Sequence, residues 1–174
     1  MAVDDLKQHI REVPDFPKPG IHFYDVATLF RNAAAFRSAV QGMAEAVRPH
    51  RVDALAGIEA RGFVLAAALA RELDLGLILV RKLGKLPGAT ERQSYELEYG
   101  EAQIEVQREA VAQGQRIAVV DDLLATGGTA EATGQLIRRM GGRLAAYAFM
   151  VELDFLEGRR RLGDDLVLSL LHYA

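Results

Sequence analysis

Asp121 and Asp122 stand where an apolar run, IAVV at 117–120, gives way to the small residues Ala125, Thr126, Gly127, Gly128 and Thr129. Two carboxylates are costly in a buried strand unless something uses them. Glycines allow a tight turn and bring backbone N–H groups close to a ligand. A helix beginning there adds unpaired donors and a partial positive charge. Together these features predict an anion site, most naturally for a phosphate monoester, with the threonine hydroxyls as further donors. The aspartates repel such an anion, but they can accept hydrogen bonds from sugar hydroxyls or help hold a hydrated magnesium ion. A sugar phosphate satisfies both halves of the pattern. The plainer alternative is a strand, a turn and a helix capped by Thr126 or Thr129, with solvated aspartates.

Such a site needs a strand that stops at the acids and a helix that starts at the glycines. The chain supplies both, within a longer alternation. ALAGI at 54–58, LILV at 77–80, IAVV at 117–120, LAAYAFMV at 144–151 and LVLSLL at 166–171 have the length and composition of buried strands. Ala102, Ile104 and Val106 alternate with Gln103, Glu105 and Gln107, the period of a half-exposed strand. Helical spacing links Val3, Leu6, Ile10 and Val13, then Phe36, Val40, Met43, Ala44 and Val47, then Thr133, Leu136, Ile137 and Met140. FVLAAALARELDL, after the glycine of EARG, is apolar nearly all round and predicts a buried helix. Residues 84–100 are polar and without a period, so they predict a long loop. Strands alternating with helices give an α/β fold, a mostly parallel twisted sheet flanked by helices, in one domain spanning 1–174.

Composition narrows the function classes. With 21 basic and 24 acidic residues the net charge is −3, which argues against a broad nucleic-acid or membrane surface. The absence of cysteine excludes disulfides and thiolate metal sites. The charged N-terminal stretch, MAVDDLKQHIREV, is unlike a signal peptide, and the expected location is cytoplasmic.

At these residues the sequence resembles the type I phosphoribosyltransferases, and at closer range their adenine phosphoribosyltransferase family. DFPKPGIHFYD, GIEARGF, RKLGKLPG, SYELEYG and VVDDLLATGGTAEA follow that family's blocks in order, from about Asp15 to Leu171. The resemblance implies a type I phosphoribosyltransferase fold with a small N-terminal hood, here 1–33, and a flexible catalytic loop, here 84–100. It implies transfer of ribose 5-phosphate from phosphoribosyl pyrophosphate to N9 of adenine, giving AMP and pyrophosphate, with Mg2+, in a homodimer.

Carried over position by position, Ala125, Thr126, Gly127, Gly128 and Thr129 would cradle the 5-phosphate, and Asp121 and Asp122 would face the ribose hydroxyls near magnesium. Magnesium itself would be held mainly by substrate and water. Glu59, Ala60 and Arg61, in a turn expected to hold a cis peptide between Glu59 and Ala60, would bind pyrophosphate. Arg81, Lys82 and Lys85 would add positive charge there. His22, Phe23, Tyr24 and Leu123 would surround adenine. Glu98 and Tyr99 would close over the reaction centre beside Arg61, with Glu98 assisting loss of the N9 proton. The family's FRD is FYD here, so Tyr24 replaces an arginine beside the base and can stack or donate a hydrogen bond but supplies no charge. A transferase for another purine, and a non-catalytic sensor of phosphoribosyl pyrophosphate, are the alternatives.

Overall fold

The computed structural model describes residues 3–96 and 100–174. A 3-10 turn, Val3–His9, leads into a two-stranded antiparallel ribbon of β1 (Arg11–Val13) and β2 (Phe23–Asp25) and a short helix, α1 (Ala27–Phe30). Helix α2 (Ala33–Val47) follows, and the Asn32 carboxamide caps it by accepting from the Ala34 and Ala35 amides at 3.1 and 3.0 Å. Then come β3 (Ala54–Ile58), α3 (Arg61–Leu73), β4 (Gly76–Lys82), β5 (Thr90–Glu96), β6 (Glu101–Gln107), β7 (Arg116–Leu124), α4 (Gly128–Arg139), β8 (Arg143–Leu153), α5 (Gly158–Arg161) and β9 (Val167–Tyr173).

The main sheet has the order β5-β6-β4-β3-β7-β8-β9. Its five strands from β4 to β9 are mutually parallel, and β5–β6 is an antiparallel hairpin joined to β4 at Arg81↔Glu105 and Lys82↔Ile104. Helices α2 and α3 cover one face, where Leu55, Ala118, Val120 and Met150 meet Val40, Met43, Leu65 and Leu69. Helix α4 covers the other, packing Leu136 and Ile137 against Ile117, Val119, Tyr147 and Phe149. Both faces of the central strands are therefore buried, which is why they read as continuous apolar runs. Gly57 lets α3 approach: a Cβ there would lie 2.8 Å from the Cβ of Ala66. No helix among the described residues is long and apolar enough to cross a membrane.

Several expectations change. The stripe from Val3 to Val13 is not one helix: the 3-10 turn ends at His9, and Arg11 to Val13 pair with β2, held by the Arg11 amide donating to Thr28 Oγ1. Residues 84–100 are not structureless, because 90–96 form β5. That strand's side chains are mostly polar and partly solvated on both faces, so no hydrophobic period marks it. Helix α3 is buried along one side only, with Val64 46% exposed. Glu105 is not on a solvated face. It is 1% exposed, because the segment 85–90 folds over it and hydrogen-bonds to its carboxylate.

Candidate active site

The site is built where β7 ends. Asp121 and Asp122 precede the end rather than mark it, since β7 continues to Leu124 through pairing with β8. Beyond it the chain turns through Ala125 and Thr126 to Gly127, whose φ of +82° is left-handed backbone that suits glycine. Gly127 is also the N-cap of α4, and no side chain caps the helix, so neither Thr126 nor Thr129 takes that role. The Glu131 amide closes the first helical turn on the Gly127 carbonyl at 2.9 Å. The amides of Gly128, Thr129 and Ala130 thus have no partner within the helix and face its positive end. Leu123, Leu124, the residues from Ala125 to Ala130, Asp121 and Phe149 line a cleft of about 100 Å³ there.

A second cleft, of about 200 Å³, is lined by Ile58, Glu59, Val80, Arg81, Lys82, Tyr95, Ile104, Asp121 and Thr129. Asp121 and Thr129 belong to both clefts, which are therefore contiguous at the carboxylate. Two close approaches fix this carboxylate. Its Oδ1 accepts the Asp122 amide at 2.9 Å, and a Cβ on Gly62 would stand 2.7 Å from that same oxygen. Glycine at 62 is what lets the start of α3 lie against β7. Burial and the adjacent Asp122 charge raise the Asp121 pKa well above the ordinary aspartate value.

Asp122 is 3% exposed, and its Oδ2 lies 2.6 Å from Arg61 Nε as an ion pair without hydrogen-bond alignment. Arg61 is the first residue of α3, following the cis peptide between Glu59 and Ala60. Its guanidinium also stands 5.5 Å from the centre of the Phe23 ring, so β2 of the N-terminal ribbon reaches the same place. Phe16 packs edge-on to Phe23 at 5.2 Å.

Glu59 and Arg81 form a paired unit on the other side of the second cleft. The Glu59 carboxylate accepts from Arg81 Nε at 3.2 Å, Arg81 Nη2 at 3.1 Å and the Lys82 amide at 3.0 Å. The Arg81 hydrogen bonds are the main reason its pKa falls below the ordinary glutamate value. Arg81 Nη1 donates in turn to the Lys85 carbonyl at 2.9 Å. Lys85 does not line the clefts; its amide is held by Glu105.

The structure thus brings together Asp121, Asp122, Arg61, Glu59, Arg81, Lys82, Leu123, Phe23 and the loop 125–129. Tyr24 is placed differently: it is 8% exposed and its ring packs on that of Tyr173 at 4.2 Å, within the core beneath the ribbon. His22 is exposed, 3.7 Å from the Glu12 carboxylate. Glu98 and Tyr99 lie outside the described residues. Glu96, just before them, brings its carbonyl 3.6 Å from where a Gly128 Cβ would be, so hairpin β5–β6 reaches the first turn of α4.

Three residues here escaped the sequence reading. Glu105 anchors the 85–90 segment, and Gly158 and Arg161 of α5 touch the loop and α4 from outside. The glycine and arginines of LEGRRRL gave no motif that distinguishes them from a surface turn. Among the described residues, the cluster able to offer three metal ligands is Glu152, Asp154 and His172, but both Glu152 oxygens already accept hydrogen bonds, from Arg159 and Ser169.

Comparison with known proteins agrees with this fold. Residues 28–162 match the model of the phosphoribosyl transferase domain. An adenine phosphoribosyltransferase of Acidiphilium cryptum is 56% identical over 158 residues, covering 91% of this chain and 92% of that protein. The crystal structure of adenine phosphoribosyltransferase from Thermoanaerobacter pseudethanolicus superposes with a TM-score of 0.96 at 43% identity, over 99% of this chain and 100% of that one. The Saccharomyces cerevisiae enzyme, solved with adenine and an imino-altritol bisphosphate, gives a TM-score of 0.91 at 39% identity, over 97% and 98% of the two chains. By sequence and by fold, the chain belongs to the adenine phosphoribosyltransferase family.

Proposed function

We propose that this protein transfers ribose 5-phosphate from phosphoribosyl pyrophosphate to adenine, releasing AMP and pyrophosphate in purine salvage. The observation that carries the reading is the single carboxylate, Asp121, shared by two clefts. One is walled by the free amides of α4 and suits the 5-phosphate. The other carries Arg81 and Lys82 and suits pyrophosphate. The ribose spans them over Asp121 and Asp122, whose oxygens accept from its hydroxyls. Adenine is the base, as in the yeast relative solved with adenine, and in this reading it lies toward Phe23, whose ring Arg61 faces, and Leu123.

In the reaction the bond from C1 to the pyrophosphate oxygen breaks, its electron pair leaving with pyrophosphate. The sugar gains oxocarbenium character, and N9 of adenine bonds to C1 and gives up its proton, with Glu98 as the assisting base and Tyr99 beside it. Little covalent chemistry falls to the protein, so its contribution is position and fixed charge. Arg61 can leave Asp122 for the departing pyrophosphate, which holds more negative charge than one carboxylate. Ala60 and the amides of the same turn add donors. The 84–100 segment closes over the site and excludes water, which competes with adenine for the sugar.

The hard oxygens of Asp121 and Asp122, beside a phosphate cradle, fit a hydrated Mg2+ held mainly by the substrate. When bound, that ion neutralises charge on the leaving pyrophosphate. A homodimer and a cytoplasmic location complete the proposal; Val64 of α3 and Leu79 of β4, both apolar and exposed, are open to a second copy of the chain.

The test is a panel of adenine, hypoxanthine, guanine and xanthine with phosphoribosyl pyrophosphate and magnesium. Nucleotide from adenine alone is expected. Turnover of another base would move the substrate and keep the chemistry. Tight phosphoribosyl-pyrophosphate binding with no turnover would make the protein a sensor.

A further inference from the structure

We infer that α5 is a buttress setting the curvature of the phosphate loop, with Gly158 and Arg159 as positioning residues for phosphoribosyl pyrophosphate. The inference rests on the proposed function for the identity of the ligand, and on packing for everything else.

Helix α5 is only four residues long, too short to hold itself in place. An ion pair fixes it. Glu152, 4% exposed near the end of β8, accepts from Arg159 Nε at 2.9 Å and Nη2 at 2.6 Å, a two-pronged contact. Arg159 Nη1 donates to the Val167 carbonyl at 3.1 Å, and Ser169 Oγ donates to Glu152 at 2.5 Å. Arg159 therefore ties α5 to β8 and β9 together.

One residue earlier, Gly158 lies directly against the loop. A Cβ on Gly158 would be 2.1 Å from the Ala125 carbonyl oxygen and 3.0 Å from its carbon. Reciprocally, a Cβ on Gly127 would be 2.7 Å from the Gly158 carbonyl oxygen. Two glycines meet backbone to backbone, and neither side has room for a methyl group. Beside the same contact, Arg161 Nε sits 2.6 Å from Glu131 Oε2 in the first turn of α4. The loop is thus held between its own strand and α5, and the height of α5 is set by Glu152 and Arg159. The free amides of α4 point at one place only while that stack is intact.

The experiment compares Gly158→Ala, Arg159→Lys and Gly163→Ala in the full chain. Gly163 has a φ of +64°, and a Cβ there meets nothing within 4 Å, so its variant strains the same segment without pushing the loop. Gly158→Ala is expected to raise KM for phosphoribosyl pyrophosphate about tenfold and Arg159→Lys about threefold, with KM for adenine unchanged. Gly163→Ala should lower the melting temperature and leave both KM values alone. If the first two variants also lose only thermal stability, the buttress is wrong. Should Gly158→Ala fail to fold, Arg159→Lys decides. If the wild-type protein turns over no base, the proposed function fails by itself, and calorimetric binding of phosphoribosyl pyrophosphate to the same variants still decides the role of α5.

Discussion

The two clefts that meet at Asp121 are built by different physics. The phosphate side is made by close backbone packing: Gly62 against Asp121, Gly127 against Gly158, and Gly158 against Ala125. The opposite side is made by ionic ties between segments far apart in the chain. Glu59 holds Arg81 and the Lys82 amide, while Glu105 holds the amides of Lys85 and Leu86 and the hydroxyl of Thr90. A wall of packed backbone leaves little room to relax. A wall of carboxylate hydrogen bonds can exchange partners when a charged ligand arrives. Under the proposed function, the first suits the constant 5-phosphate, and the second suits a leaving group that must be released.

The comparison breaks hardest at Asp121, the carboxylate common to both clefts, and its buried neighbour Asp122. Changing Asp121 and Asp122 together to Asn should cut kcat/KM by on the order of 10²–10⁴, the worth of two charge-assisted hydrogen bonds at about 1.5–3 kcal/mol each. The fold should survive, and Asp121→Asn alone should stabilise it at neutral pH. The sign follows from the raised pKa: ionising Asp121 opposes folding, at no cost below the unfolded value of about 3.9 and at growing cost as pH rises toward the folded value. Urea unfolding at pH 4 and pH 7 should show the variant's advantage at the higher pH only. Wild-type activity in the double variant would remove both aspartates from the ribose site.

Gly62→Ala comes next and tests the packed wall. The new methyl would stand 2.7 Å from Asp121 Oδ1, 3.0 Å from the Val120 carbonyl and 3.2 Å from Asp121 Cα. Since two of these are backbone atoms, α3 must move. A loss of about 1–3 kcal/mol in stability and on the order of 100-fold in kcat/KM is expected. An unchanged melting curve with full activity would show that α3 and β7 slide freely.

This difference in construction also explains what the sequence disclosed. The parallel strands, α2, α4 and the glycine turn between β7 and α4 were legible because burial on both faces and glycine backbone leave local marks. ALAGI at 54–58 became β3 with the same bounds. The ionic wall left no local mark. Glu105 sits in an alternating strand and reads as solvated, and only the fold reveals that residues 85–90 cover it. The same holds for α5, whose meaning lies in contacts across 31 to 33 residues, as in Gly158 with Gly127 and Ala125. Strand β5 was missed because its pairing is backbone chemistry carried by polar side chains.

Glu105→Gln sharpens the ionic side. Burial pushes the Glu105 carboxyl up, but hydrogen bonds from the Leu86 and Lys85 amides and the Thr90 hydroxyl, with the Arg92 charge, bring it below its ordinary value. Its contribution to stability is therefore present above about pH 4.3 and lost as pH falls through the folded value. Glutamine keeps the shape and loses the charge, so a cost of about 1–2 kcal/mol at pH 7 is expected, shrinking in acid. Activity should fall by only a few fold, through KM for phosphoribosyl pyrophosphate. A pH-independent difference between the two proteins would show that charge plays no part in the anchor.

The smallest effect belongs to Tyr24, which the sequence placed beside the base. In the structure its ring is buried on Tyr173, with Lys7 Nζ 4.9 Å from the Tyr173 ring centre, so its side chain belongs to the support under the ribbon. The residue that faces the site from β2 is Phe23, reached by Arg61. Replacing Tyr24 by Phe keeps the buried ring and removes one hydroxyl, and stability should change by less than about 1 kcal/mol. The base panel should be unaltered, with adenine as the preferred acceptor. Replacing Phe23 by Ala removes the ring that can stack on a purine and should raise KM for adenine while sparing that for phosphoribosyl pyrophosphate. If instead Tyr24→Phe shifts the preferred base, the ribbon must turn over when substrate binds, and the two neighbouring rings exchange roles.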